Sequence, residues 1–253
     1  MPPGTHAPPP LAARCAVLIA CFALFLSYRA KDPERRKLDD AARAEAQDLF
    51  VRQLAELLDS LRITAPVDLA GLSFGGAIIT SFADRHPERV RSLIYFDPVF
   101  NTGRPLPPEE RSARAWNIHM VLRGGSDAMA TGQRFDFLHP ERHPDWVARY
   151  RVQQQFKGTR ESLRRTRASI AVAPHQAEQL RKVGATPRPV LIVWGRQDRV
   201  APFEDSGALL AAMPRATFAP VDSAAHLPHL EQTGVVVVPA VVRFLRGELR
   251  RQQ

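Results

Sequence analysis

The stretch PVDLAGLSFGGAI, Pro66–Ile78, constrains the fold of this 253-residue chain more than any other. Val67–Leu72 is apolar apart from Asp68 and reads as a buried strand. Gly76–His86 reads as a helix, which Pro87 stops. Between them stand only a serine, a phenylalanine and a glycine, so the strand must reverse into the helix within a few residues. A strand that passes straight into a helix is the unit of a parallel sheet, because parallel neighbours need a crossover that is usually helical.

The alternation continues along the chain. VRSLIYFDP gives a second strand ending at Asp97-Pro98, and RPVLIVWGRQD a third, bounded by Gly195. ATFAPVDSAAH holds a weaker fourth, with Pro220 marking an edge or a bend. Helices are expected over Asp32–Arg62, Phe203–Met213 and Val235–Leu249. In the first of these, Phe50, Leu54, Leu57, Leu58 and Leu61 recur at a helical spacing and are expected to share the buried face. The fold class is therefore α/β with a mostly parallel sheet. Phe100–Arg188 carries no strand pattern and reads as short helices, for example Pro144–Lys157 and Thr159–Ile170. A structureless loop of that size is not expected inside a domain. The segment is read as a helical insertion over one end of the sheet. The organisation is then 1–30, a proline-rich start with a short apolar run; 31–99 with 189–253, the core; and 100–188, the insertion.

Ser73 falls at the carboxyl end of its strand, where a parallel sheet gathers its ligand sites. Gly71-Leu72-Ser73-Phe74-Gly75 has the form Gly-x-Ser-x-Gly, a sharp turn that pushes a serine Oγ outward. Gly71 and Gly75 are expected to be needed because a side chain at either would crowd the turn. The plain alternative is a glycine-rich helix start packed for its own sake. A serine hydroxyl becomes a nucleophile only when a base takes its proton, and the base is normally a histidine oriented by a carboxylate. Asp198 and His226 follow Ser73 in the chain, each just past a strand. His229 is a rival base, and Asp97 a rival acid whose plain role is capping beside Pro98. Asp68 reads as a buried strand residue without a part in chemistry. His86, His139 and His143 each precede a proline and read as turn residues, and His119 and His175 as surface residues of the insertion.

Taken together, FVRQLAELLDSL, DLAGLSFGGAI, HPERVRSLIYFDP, WGRQDRVAP and HLPHLEQ resemble segments of the α/β-hydrolase superfamily, from about Phe50 to Leu249. The resemblance implies that Ser73 is a nucleophile, Asp198 the acid and His226 the base of a serine hydrolase acting on an ester or related acyl compound. It implies an oxyanion contact from the Phe74 backbone N–H and a cap formed by 100–188. Where this chain departs from the pattern is ahead of the serine. The superfamily usually has about four strands before the elbow, and a His-Gly loop supplies the second oxyanion donor. Here Cys15–Tyr28 has room for two strands at best, and no His-Gly pair occurs. The expected sheet thus lacks its N-terminal part. A truncated, catalytically weak relative, a pseudoenzyme or binding protein, stays open as the second reading.

The remaining features bound the partners. Apolar residues make up 45%, enough for a sizeable core, so the net charge of +9 is read as surface. Its arginines are scattered; Arg35-Arg36-Lys37 and Arg164-Arg165 with Arg167 are short and lack interleaved aromatics, so no nucleic-acid partner is expected. Cys15 and Cys21 both lie in the N-terminal run, which leaves no disulfide framework or cysteine metal site in the body. No metal or cofactor is expected. The apolar run Cys15–Tyr28 falls short of the ~20 residues of a spanning helix. It reads as a buried element, with a signal or membrane anchor as the alternative, and the expected compartment is the cytoplasm. The expected partner is a small acyl substrate, with membrane contact through 15–28 and self-association as further options.

Overall fold

The computed structural model describes residues 48–100, 125–159, 162 and 176–249. Four strands, β1 (Val67–Leu72), β2 (Val90–Phe96), β3 (Val190–Gly195) and β4 (Thr217–Val221), form one sheet in that order, and each neighbouring pair is parallel. Helix α1 covers residues 48–60, and α2 (Phe74–Arg85) links β1 to β2. Between β2 and β3 lie α3 (Gly125–Gly132), two 3-10 turns (Gln133–Asp136 and Pro140–Arg142), α4 (Trp146–Gln154) and α5 (Gln176–Ala185). Helix α6 (Ser206–Ala212) joins β3 to β4, and α7 (Pro228–Glu231), a π-helical turn (Thr233–Val237) and α8 (Val238–Leu245) follow.

The pattern of β3 explains the layering. All six of its residues are buried, and its side chains alternate between two cores as strand geometry requires. Val190, Ile192 and Trp194 pack with Phe82, Leu180, Val183, Leu209 and Met213, carried by α2, α5 and α6 and the residue after it. Leu191 and Val193 pack on the other face with Ile94, Val221, Val237 and Phe244. A strand covered on both faces and paired on both edges needs no polar positions, which is why VLIVWG has none.

Two expectations change. The buried face of α1 centres on Val51 and Leu58, whereas Leu57 and Leu61 are more than half exposed. The face that meets the core runs through Val51, Leu54, Ala55 and Leu58, so it keeps Leu54 and Leu58 of the expected stripe and turns Leu57 and Leu61 outward. The second change concerns the insertion. Its described elements are all helical as expected, but α5 packs on the sheet through Leu180 and Val183 and against α2 and α6, so it belongs to the core layer. The helix expected over Pro144–Lys157 is α4, while most of Thr159–Ile170, the start of the helix expected over Asp32–Arg62, and residues 1–30 with their apolar run lie outside the described residues. Among the described residues no helix is long and apolar enough to cross a membrane.

The register sets up the site. Leu72 stands beside Phe96, and Gly195 beside Val221. The strands therefore end nearly level, and the residues that follow, Ser73, Asp97, Asp198 and His226, come after the carboxyl ends of the four parallel strands.

Candidate active site

Ser73 has φ 52° and ψ −120°, a conformation that costs a non-glycine residue about 1–3 kcal/mol unless its surroundings fix it. They do so through the backbone. Its N–H donates to Phe96 O at 2.9 Å, and its carbonyl accepts from the N–H groups of Gly76 (3.0 Å) and Val99 (3.1 Å). The glycines divide differently from the expectation. A Cβ on Gly71 would lie 2.5 Å from the carbonyl group of Gly75, which no backbone tolerates. A Cβ on Gly75 itself would meet nothing within 4 Å. The second crowded position is Gly76, where a Cβ would come within 2.7 Å of Pro98 Cβ. The turn is thus closed by Gly71 below and Gly76 behind, and Gly75 faces open space.

Asp198 sits in the turn after β3. Its Oδ1 accepts from the backbone N–H groups of Val200 (2.7 Å) and Ala201 (2.9 Å). That turn is anchored in turn by Trp194 Nε1, which donates to Ala201 O at 3.0 Å. With one carboxylate oxygen fixed by two amides, the other points at His226, whose Nδ1 lies 2.8 Å from Asp198 Oδ2. Both side chains are buried. The loop carrying His226 is tied down on several sides. Gln197 gives its N–H to Ala224 O (3.0 Å) and takes the Ala224 N–H on its side-chain oxygen (3.1 Å). Gln232 Nε2 donates to Ser223 O (3.0 Å). A Cβ on Gly195 would come 2.1 Å from Ala225 O, so only glycine lets the loop lie so close to the end of β3.

Asp97 is the residue whose role the sequence understated. It is fully buried with φ 42°. Its Oδ1 accepts the Gly195 N–H at 2.8 Å, while Oδ2 has no hydrogen-bond partner. Asp97, Asp198 and His226 bring one polar atom each within 4.8 Å of one another. Burial, and then the charge of Asp198, push the Asp97 carboxyl up to about 10, so at neutral pH it is an uncharged acid. Its hydrogen bond joins the end of β2 to Gly195 at the end of β3, three residues before Asp198. The three groups are of metal-ligating type, yet the hydrogen bonds already described account for their closeness without an ion.

His229, the rival base, packs beside Phe96. Its ring is 5.6 Å from that of Phe96, and its buried Nδ1 has no hydrogen-bond partner. Burial, and next the nearby His226, hold its pKa below the usual imidazole value, which keeps it neutral. Asp68 is half-buried on β1 and pairs with Arg91 and Ser92, far along the strand from the edge. Its hydrogen bond from Arg91 holds its carboxyl below the ordinary range. His86 and His139 begin 3-10 turns, as their prolines predict, and His143 stacks on Phe137 at 4.1 Å. His119 and His175 lie outside the described residues.

Comparison with known proteins follows the same line. The model of the alpha/beta hydrolase family matches residues 4–240. This chain belongs to that family. The α/β hydrolase is 30% identical over 201 residues to the 2-hydroxymuconate semialdehyde hydrolase of Pseudomonas sp. (strain CF600), covering 74% of this chain and 66% of that one. It is 24% identical over 191 residues to Lipase 1 of Psychrobacter immobilis, covering 75% of this chain and 58% of that one. The chain thus spans less than two thirds of the length of either relative. Among solved structures, a thermophilic esterase from Thermogutta terrifontis superposes with a TM-score of 0.61 at 27% identity, over 77% of this chain and 70% of the other. A serine hydrolase from Cycloclasticus zankles gives 0.66 at 19% identity, over 80% and 71%, a likeness of fold.

Proposed function

We propose that this α/β hydrolase is a serine hydrolase that cleaves a carboxylic ester or related acyl compound. Ser73 is the nucleophile, His226 the base and Asp198 the acid that orients it, with the Phe74 N–H as one oxyanion donor. The observation that carries the reading is the 2.8 Å bond from His226 Nδ1 to Asp198 Oδ2 on the same sheet edge as the strained Ser73. With Nδ1 donating to the carboxylate, Nε2 is left with its lone pair. It takes the Ser73 hydroxyl proton as Oγ adds to the acyl carbon, and the carbonyl oxygen becomes an oxyanion facing the N-terminus of α2. The same proton passes to the leaving alkoxide as the C–O bond breaks, giving an alcohol and an acyl-serine. A water, deprotonated by His226, then releases the acid and restores Ser73. The insertion 100–188 would act as the cap that shapes the substrate space.

The test is hydrolysis of p-nitrophenyl esters together with labelling by a fluorophosphonate. Ser73→Ala is expected to abolish labelling and lower turnover by roughly 10⁴-fold or more, and His226→Ala to be about as severe. Full activity in Ser73→Ala would refute the assignment. An absence of labelling in the wild-type protein would favour the catalytically weak relative instead. A second reading comes from the 30% identity to a 2-hydroxymuconate semialdehyde hydrolase: the same residues could serve hydrolysis of a C–C bond in a dicarbonyl compound. Turnover of 2-hydroxymuconate semialdehyde exceeding that of simple esters would select it.

A further inference from the structure

Glu231 is the last residue of α7, five positions after His226, and its carboxylate collects three backbone N–H groups. Oε1 accepts from Leu138 at 2.8 Å and from His139 at 3.2 Å. Oε2 accepts from Ala225, the residue before His226, at 2.7 Å. Leu138 and His139 lie between the two 3-10 turns of the insertion, 93 and 92 positions from Glu231 in the sequence. One carboxylate therefore touches the insertion with one oxygen and the histidine loop with the other.

We propose that Glu231 is a positioning residue that couples the insertion to the His226 loop, so that displacement of either segment is felt by the other. The chemistry requires a carboxylate. It offers two acceptor oxygens and no hydrogens, whereas a glutamine offers one oxygen and turns an N–H₂ toward the other amide. The loop's remaining ties, to Gln197 and Gln232, hold Ala224 and Ser223. Among these bonds only that of Glu231 reaches the residue adjoining His226. The alternative is a local role in which Glu231 serves the start of the second 3-10 turn and nothing else. The two differ in what is released when the carboxylate is removed.

Hydrogen exchange read by mass spectrometry on the full chain decides between them, in peptides spanning 137–139 and 224–227. Glu231→Ala is expected to speed exchange at both places together, by about tenfold or more. Glu231→Gln is expected to release one arm and spare the other. Faster exchange at only one place in Glu231→Ala, or at neither, overturns the coupling. Should Glu231→Ala fail to fold, Glu231→Gln carries the test, and unchanged exchange at both places in that variant overturns the proposal. The kinetic consequence rests on the reading of His226 as the base. Glu231→Ala should then lower kcat by roughly 10–100-fold through the displaced imidazole and also raise KM through the loosened insertion, with Glu231→Gln moving one more than the other. A wild-type protein without esterase activity would defeat that reading while leaving the exchange result to judge the coupling.

Discussion

The two sides of the sheet hold their functional groups in different ways. At the β3–β4 side, Asp198 and His226 are buried; Asp198 accepts from two backbone amides and pairs with His226, and Gln197 and Gln232 donate to carbonyls of the loop that carries the histidine. At the β1 side, Ser73 follows a strand that, among the described residues, pairs only with β2 and leaves Ala70 exposed in its middle. Asp198 and His226 are thus held by many bonds, in a loop whose own left-handed residue, Ser223 (φ 56°), stands three positions before the histidine. The serine is held by three backbone bonds in a strained turn on a thinner support. The difference teaches where each half is vulnerable: the first at the close approach over Gly195, the second at the turn that Gly71 closes.

The largest effects should come from filling the close approaches. Gly195→Ala drives a methyl into Ala225 O, and Gly71→Ala drives one into Gly75. Each is expected to lower stability by at least ~3 kcal/mol, a fall in melting temperature of more than about 6 °C, and to abolish ester hydrolysis. Gly75→Ala is the control within the same motif. It should keep its fold and gain as much as about 1 kcal/mol from the better helix former. A Gly75→Ala protein as damaged as Gly71→Ala would show that the turn is held differently.

Asp97 sharpens the comparison because it joins the two sides. Its folded pKa lies above its unfolded one, so the folded protein keeps a proton that the unfolded chain gives up above about pH 4. The stabilisation is fully present below that pH and is lost as pH rises toward 10, at a slope no greater than about 1.4 kcal/mol per pH unit. Asp97→Asn copies the neutral acid and cannot ionise. Thermal melts from pH 5 to 9 should therefore show the variant gaining on the wild type as pH rises. A constant gap between the two would mean that Asp97 is charged in the folded protein.

The smallest effect is expected on the outer strand. Asp68 pairs with Arg91, whose side chain is 68% exposed, and pairs of that kind contribute about 0–1 kcal/mol. Asp68→Ala should leave hydrolysis unchanged and shift the melt by no more than about 4 °C. A loss of activity would give β1 a part in the site that its geometry does not suggest.

What could be read from the sequence was what short-range rules control. The β3 run without polar residues and the strand–serine–helix joint are local patterns, and each has its counterpart in the structure. The tetrapeptide His-Pro-Glu-Arg occurs at 86–89 and again at 139–142, and both copies form the same 3-10 turn. What escaped depends on register and tertiary approach. The meeting of Asp97 with Asp198 exists only because Gly195 lies where it can donate to Asp97. Glu231 reaches its insertion partners across the whole of β3 and β4. The face of α1 was only partly legible from its leucines, since Leu54 and Leu58 meet the core with Val51, while Leu57 and Leu61 do not. Gly75 looked necessary by motif, while the crowding falls on Gly71 and Gly76.

The insertion between β2 and β3 has a consequence for the order of assembly. β1 reaches β2 through α2 and a 3-10 turn (Pro87–Arg89), and β3 reaches β4 through α6 and a 3-10 turn (Phe203–Asp205), so each pair closes over a short length of chain. The pairing of β2 with β3 must wait for the whole segment from Val99 to Pro189 to come round. Lengthening such a loop costs little stability, about 0.6 kcal/mol for each doubling, but contacts distant in sequence form slowly. Ser73 and His226 thus stand on separate β-α-β arms, and the long pairing that joins the arms is expected to form last. Recovery of esterase activity after dilution from urea should lag recovery of helical circular dichroism; coincident recoveries would mean that the long pairing forms as early as the short ones.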